Sequence, residues 1–135
     1  MTKEEILIHN ILGPMKGGVR TFACAIRITA HMLFEEHMAQ DDILVTKHIY
    51  PEVAKAVNKS YLAAARQIER MGNLCWDRLD EEGCLLYIGR RLEDIRAPRD
   101  MLFYLAFYSY FGRPYYEVLE ENPQLLFQDG TKNKL

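Results

Sequence analysis

Apolar residues recur at three- and four-residue intervals along almost the whole chain, and nowhere do they alternate convincingly with polar ones over the length of a strand. Three to four residues is the repeat of a helix and two that of a strand, so the pattern calls for an all-α fold. Phe22, Ala23, Ile26, Ala30, Leu33 and Phe34 trace one face of a long amphipathic helix from Val19 to about Met38. Ala64, Ile68, Met71 and Cys75 do the same for a helix from Tyr61 to about Leu79, which opens on an alanine run of high helix propensity.

Punctuation between these runs fixes the other elements. Thr2 followed by Glu5 forms a capping box ahead of Ile6, Leu7, Ile11 and Leu12, and Gly13-Pro14 stops that first helix. The loop Gly13–Gly18 contains Lys16 but lacks the spacing of a phosphate-binding loop, so it reads as an interhelical turn. Asp41 or Asp42 is positioned to cap a helix over Ile43–Ile49, and Pro51 suits the first turn of one over Pro51–Val57. Asn58-Lys59-Ser60 supplies a tight turn with a capping hydroxyl. Gly72 costs about 1 kcal/mol relative to Ala inside its helix, which predicts a close helix contact there. Leu85, Leu86 and Ile88 indicate a short helix after Gly83, Pro98 opens an aromatic one, and Pro114 opens a last one that Pro123 closes. The expectation is a single domain over residues 1–127, a compact bundle of about six to seven helices, with 128–135 as a flexible tail. A chain of 135 residues buries a sufficient core without disulfides or metal.

Several functional classes are disfavoured. Cys24, Cys75 and Cys84 are odd in number, lack CxxC spacing and sit among apolar neighbours, as buried reduced thiols do. The N-terminal MTKEEILIHN is acidic where a secretory signal is basic, so a cytoplasmic protein is expected. The longest nearly apolar run, Met101–Phe111, is about half of the roughly 20 residues that span a bilayer. His9, His31, His37 and His48 show no metal-ligand spacing, and no GxSxG elbow is present. No enzyme activity, cofactor or metal is expected.

Charge is uneven. From Lys47 to Arg78 six basic residues face three acidic ones, a local excess of three positive charges in a chain whose net charge is −2. A short helix, a tight turn and a longer helix in this basic stretch form the arrangement that sets a second helix into the major groove of DNA. Lys47, Lys55, Lys59 and the Ser60 hydroxyl are then candidates for phosphate contact. The outward face of the second helix presents Ala63, Arg66, Glu69, Arg70 and Asn73. Arg66 and Arg70 are the candidate base readers, because guanidinium matches guanine bidentately, with Ala63 and Gln67 beside them.

The stretch VTKHIYPEVAKAVNKSYLAAARQIERMGNLCW, residues 45–76, resembles the C-terminal effector domain of the sporulation initiation response regulator, the stage zero sporulation protein A family. Thr46, Lys47, Tyr50, Pro51, Glu52, Ala54, Lys55, Asn58, Arg66, Ile68 and Trp76 fall in step with that family's pattern without gaps. Upstream, IHNILGPMKGG looks like the family's opening with a small indel, and Pro98 resembles the proline before its last helix. The likeness spans about residues 6–110. It implies a helical domain that binds promoter DNA, often as a dimer, and contacts RNA polymerase. The family's receiver domain has no counterpart here, so a stand-alone effector is expected. Where the family has Arg, Glu, Arg, Arg and His on its reading helix, this chain has Ala63, Ala65, Arg66, Glu69 and Arg70, which implies altered or relaxed sequence specificity.

An alternative is a protein-interaction module of the same fold. Eight of the fifteen aromatic residues lie between Phe103 and Tyr116. Phe103, Phe107 and Phe111 form a core stripe, and Tyr104, Tyr108, Tyr115 and Tyr116 exceed what that stripe needs, making them candidates for an interface.

Overall fold

The computed structural model describes residues 1–15, 17–91 and 97–127. Among them are seven α-helices and no strand: α1 (Lys3–Leu12), α2 (Val19–Ala30), α3 (Tyr50–Val57), α4 (Tyr61–Arg78), α5 (Glu81–Tyr87), α6 (Pro98–Phe111) and α7 (Tyr115–Glu121). The expected flexible tail at 128–135, and Lys16 in the first loop, lie outside the described residues.

Local chemistry accounts for most helix ends. The Thr2 hydroxyl accepts from the Glu5 amide at 3.2 Å while the Glu5 carboxylate accepts from the Thr2 amide at 3.2 Å, which closes the capping box. The face of α1 turned to the core is Glu4, Leu7, Ile8 and Leu12; Ile6, expected there, is exposed. In α2 the regular winding gives way at Ala30 to a wider π turn over His31–Glu35. His37, at φ 58°, then turns the chain away, short of the continuous helix expected to Met38. Asp41 and Asp42 form part of a short 3₁₀ turn and cap nothing. The next helical segment begins with a π turn over Val45–Ile49, whose preceding Leu44 amide donates to His48 Nδ1 at 2.9 Å, and it runs straight into α3.

α2 and α6 form the centre of the bundle, with α4 packed across both and α1 and α3 against α2. Phe22 and Ile26, Ile68 and Met71, and Leu102, Leu105 and Phe107 meet there fully buried. Gly72 permits a close approach: a Cβ on it would lie 2.8 Å from the Pro98 carbonyl oxygen, so the start of α6 rests on α4, as the glycine's position predicts. Trp76 fixes the same junction by donating its indole N–H to the Ala97 carbonyl at 2.9 Å. All three cysteines are buried.

The aromatic C-terminal region differs from expectation. Tyr104 and Tyr115 are buried, at 8% and 4% exposure, so neither is available as an interface residue. Their rings stack edge to face at 4.7 Å, and the Tyr115 hydroxyl donates to Gln40 Oε1 at 2.9 Å, giving the buried phenol a partner 75 residues away. Tyr108 is half-buried against Tyr87, and Tyr116 is half-buried beneath the Arg90 guanidinium, 4.0 Å from its ring centre. Phe103 and Phe107 are core, whereas Phe111 at the end of their stripe is exposed and lies against Phe34. On α5, Leu85 and Leu86 face solvent, and Cys84, Tyr87 and Ile88 take the buried positions.

Candidate nucleic-acid interface

Residues 50–78 fold as two helices joined by a three-residue turn. Pro51 sits in the first turn of α3, where its missing amide has no intrahelical partner to lose. Asn58 ends that helix in the left-handed region, at φ 55° and ψ 54°. The Lys59 amide then reaches back to the Ala54 carbonyl at 3.0 Å, closing the helix end with the bond pattern of a Schellman motif. Ser60 is extended, and its hydroxyl oxygen accepts from the Ala63 amide at 3.1 Å, so α4 starts at Tyr61. That bond uses a lone pair and leaves the hydroxyl proton free to donate.

Two tyrosines fix α4 against the preceding segment. The Tyr61 hydroxyl donates to the Thr46 carbonyl at 3.0 Å, placing the start of the Val45–Ile49 turn beside the start of α4. The Tyr50 hydroxyl donates to Glu69 Oε2 at 3.1 Å one helix over. Burial and the neighbouring Glu69 carboxylate together hold the Tyr50 phenol well above its ordinary range, so it stays a donor.

On α4, Ala64, Ile68, Met71 and Cys75 are buried as their spacing requires, and Ala63, Arg66, Glu69, Arg70 and Asn73 are exposed. Ala65, compared above with a reading position, is buried at 8% exposure because it lies on the shoulder of the helix turned to the core. Gln67 is half-buried on the other shoulder and accepts from Lys59 Nζ at 3.0 Å. Lys55 lies 3.5 Å from Glu52 on the surface of α3. Arg66 makes no hydrogen bond or ion pair among the described residues. Arg70 leans toward the α1–α2 loop, its Nη2 lying 3.4 Å from where a Cβ on Gly18 would be. It therefore sits at the side of the unit, beyond the two turns that follow the cap.

The six cationic and hydroxyl candidates are thus not equivalent. Lys59, Ser60 and Arg66 share the start of α4, and Lys47 follows directly on Thr46, the residue that Tyr61 contacts. Lys47 also borders a groove of about 610 Å³ that Arg27, His31, His48 and Glu52 share. Sequence reasoning passed over Leu62, which is 54% exposed in the first turn of α4. The signal was present in its position, two residues from the Ala64 that opens the buried stripe. Among the described residues no group of three or more His, Cys, Asp or Glu could hold a metal ion, and no helix is long and apolar enough to cross a membrane.

Comparison of the chain with known protein families, with curated proteins and with solved structures finds no match.

Proposed function

We propose that this chain is a DNA-binding transcription regulator that lays α4 in the major groove, with α3 and the turn on the phosphate backbone. The observation that carries the reading is Arg66: an exposed guanidinium with no hydrogen-bond or ion-pair partner among the described residues, in the second turn of a serine-capped helix whose start also presents Lys59 and Ser60. A base-reading arginine has to be both unpaired and near the helix N-terminus, because that end enters the groove. The partners of Lys55 and Lys59 are exposed surface contacts that phosphate displaces at little cost.

The likeness of residues 45–76 to the sporulation effector domain supports the same reading and extends it. Double-stranded DNA is the primary partner, RNA polymerase and a second copy of the chain are the protein partners it suggests, and the cytoplasm is where such a regulator works. Alanine at position 63 in place of the family's arginine supports altered or relaxed specificity. The reading as a protein-interaction module rested on an exposed tyrosine surface, and with Tyr104 and Tyr115 in the core that surface is reduced to exposed Tyr110 and half-buried Tyr108 and Tyr116.

Selection from a randomised duplex library, followed by affinity measurements, tests the assignment. Arg66→Ala lowers affinity for selected sites with little effect on random duplex, while Lys59→Ala lowers both alike. Indistinguishable profiles for the two variants would reject the roles given to them.

A further inference from the structure

The first turn of α4 carries an exposed apolar surface at the end of the helix that the DNA-binding reading sends into the groove. Leu62 is 54% exposed, and the neighbouring Ala63 is also open to solvent. Tyr61, though 44% exposed, is committed through its hydroxyl to the Thr46 carbonyl. Leu62 has no such internal duty. Around it stand Lys59, Ser60 and Arg66, a cationic rim that suits a polyanion and does not suit a second apolar protein surface.

Leu62 and Arg66 are four residues apart on one helix, so their side chains stand one above the other on neighbouring turns. Four residues rise about 6 Å along the axis, close to the roughly 7 Å of two base-pair steps. A helix set along the groove with Arg66 on a guanine therefore holds Leu62 over a base about two pairs away. The single apolar feature that the major groove offers there is the 5-methyl group of thymine, which aliphatic side chains contact.

Resting on the DNA-binding reading, we infer that Leu62, assisted by the Ala63 methyl, is a specificity-determining residue that reads a pyrimidine 5-methyl group, so that the preferred site carries thymine about two base pairs from the guanine taken by Arg66. Arginine then supplies one polar contact and leucine one apolar contact, in place of the arginine-rich face from which this helix departs.

The test uses the full chain and duplexes selected from a random library, each measured with thymine and with deoxyuridine at the inferred position. Selected sites show the thymine, and deletion of its methyl lowers affinity about fourfold, the value expected for burying one methyl group. Restoring a methyl with 5-methylcytosine paired to guanine recovers part of the loss relative to unmodified cytosine. Leu62→Ala, a surface change that leaves the fold intact, brings the thymine-to-deoxyuridine ratio close to one. Equal affinity of the native chain for thymine and deoxyuridine duplexes, with salt-dependent binding intact, would overturn the methyl reading and leave the DNA-binding function standing. Absence of salt-dependent binding to any duplex would overturn both.

Discussion

The Tyr50 hydroxyl donates to the Glu69 carboxylate across 3.1 Å and so joins the first helix of the helix-turn-helix unit to the second. The bond has two consequences, one for stability and one for charge. It ties α3 to α4, and it holds the acidic group of the α4 outer face to one side. Tyr50→Phe is expected to lower unfolding free energy by about 1 kcal/mol in a urea titration. The same variant frees Glu69 to face phosphate and weakens DNA binding, and Glu69→Gln in the Tyr50→Phe background restores that loss.

Ser60 separates capping from phosphate contact. Ser60→Ala removes the acceptor for the Ala63 amide and is expected to cost about 1 kcal/mol of stability. Ser60→Asp keeps a good cap, and its charge suits the helix N-terminus, so stability is retained. DNA affinity nevertheless falls, because a carboxylate replaces a hydroxyl beside phosphate. Paired urea and binding titrations of the two variants check this; equal affinity of Ser60→Asp and the native chain would remove Ser60 from the contact surface.

Gly72→Ala should destabilise the protein although alanine is the better helix former. The added Cβ would lie 2.8 Å from the Pro98 carbonyl oxygen and 3.1 Å from its Cα, and backbone atoms cannot swing aside. Overpacking of this kind costs about 1–3 kcal/mol against a propensity gain of about 1 kcal/mol, so a net loss is expected in chemical denaturation.

Alkaline conditions should destabilise the domain. Burial pushes the Cys75 thiol up from an ordinary value of 9.0 to about 12, and burial likewise raises the Tyr50, Tyr87, Tyr104 and Tyr115 phenols. These groups hold their protons more tightly folded than unfolded, so above the unfolded values the unfolded chain binds fewer protons and stability falls as pH rises. Stability should decline from about pH 8, where the unfolded thiol begins to ionise, and continue down through the tyrosine range. Urea midpoints measured from pH 7 to 11 follow this, and Cys75→Ala, although less stable at neutral pH, has the shallower decline between pH 9 and 10.

Much of the fold was legible because its determinants are local. Thr2 with Glu5, Pro51, Asn58 with Ser60, and the buried series from Ala64 to Cys75 each act within one or two helical turns, and each is found where the spacing puts it. Gly72 was legible for the opposite reason, since a glycine that weakens a helix has to be answered by a neighbour. Some of the misses involve partners distant in the chain. Tyr115 is buried because Gln40 accepts its hydroxyl, and no local pattern joins residues 75 apart. Leu85 and Leu86 lie within the apolar run from Cys84 to Ile88, in a helix of seven residues, too short for periodicity to say which side faces the core. Of the candidate site, the turn and the outward face of α4 were readable; the sideways lean of Arg70, the Lys59 contact to Gln67 and the exposure of Leu62 depend on how neighbouring elements pack.

The salt dependence of binding to duplex DNA tests the central claim most directly. With Lys47, Lys55 and Lys59 on phosphates, the logarithm of affinity should fall linearly with the logarithm of salt concentration at a slope of about −3, a loss of about 40-fold between 50 and 200 mM. Affinity that stays in the millimolar range at low salt and shows no slope would contradict the account.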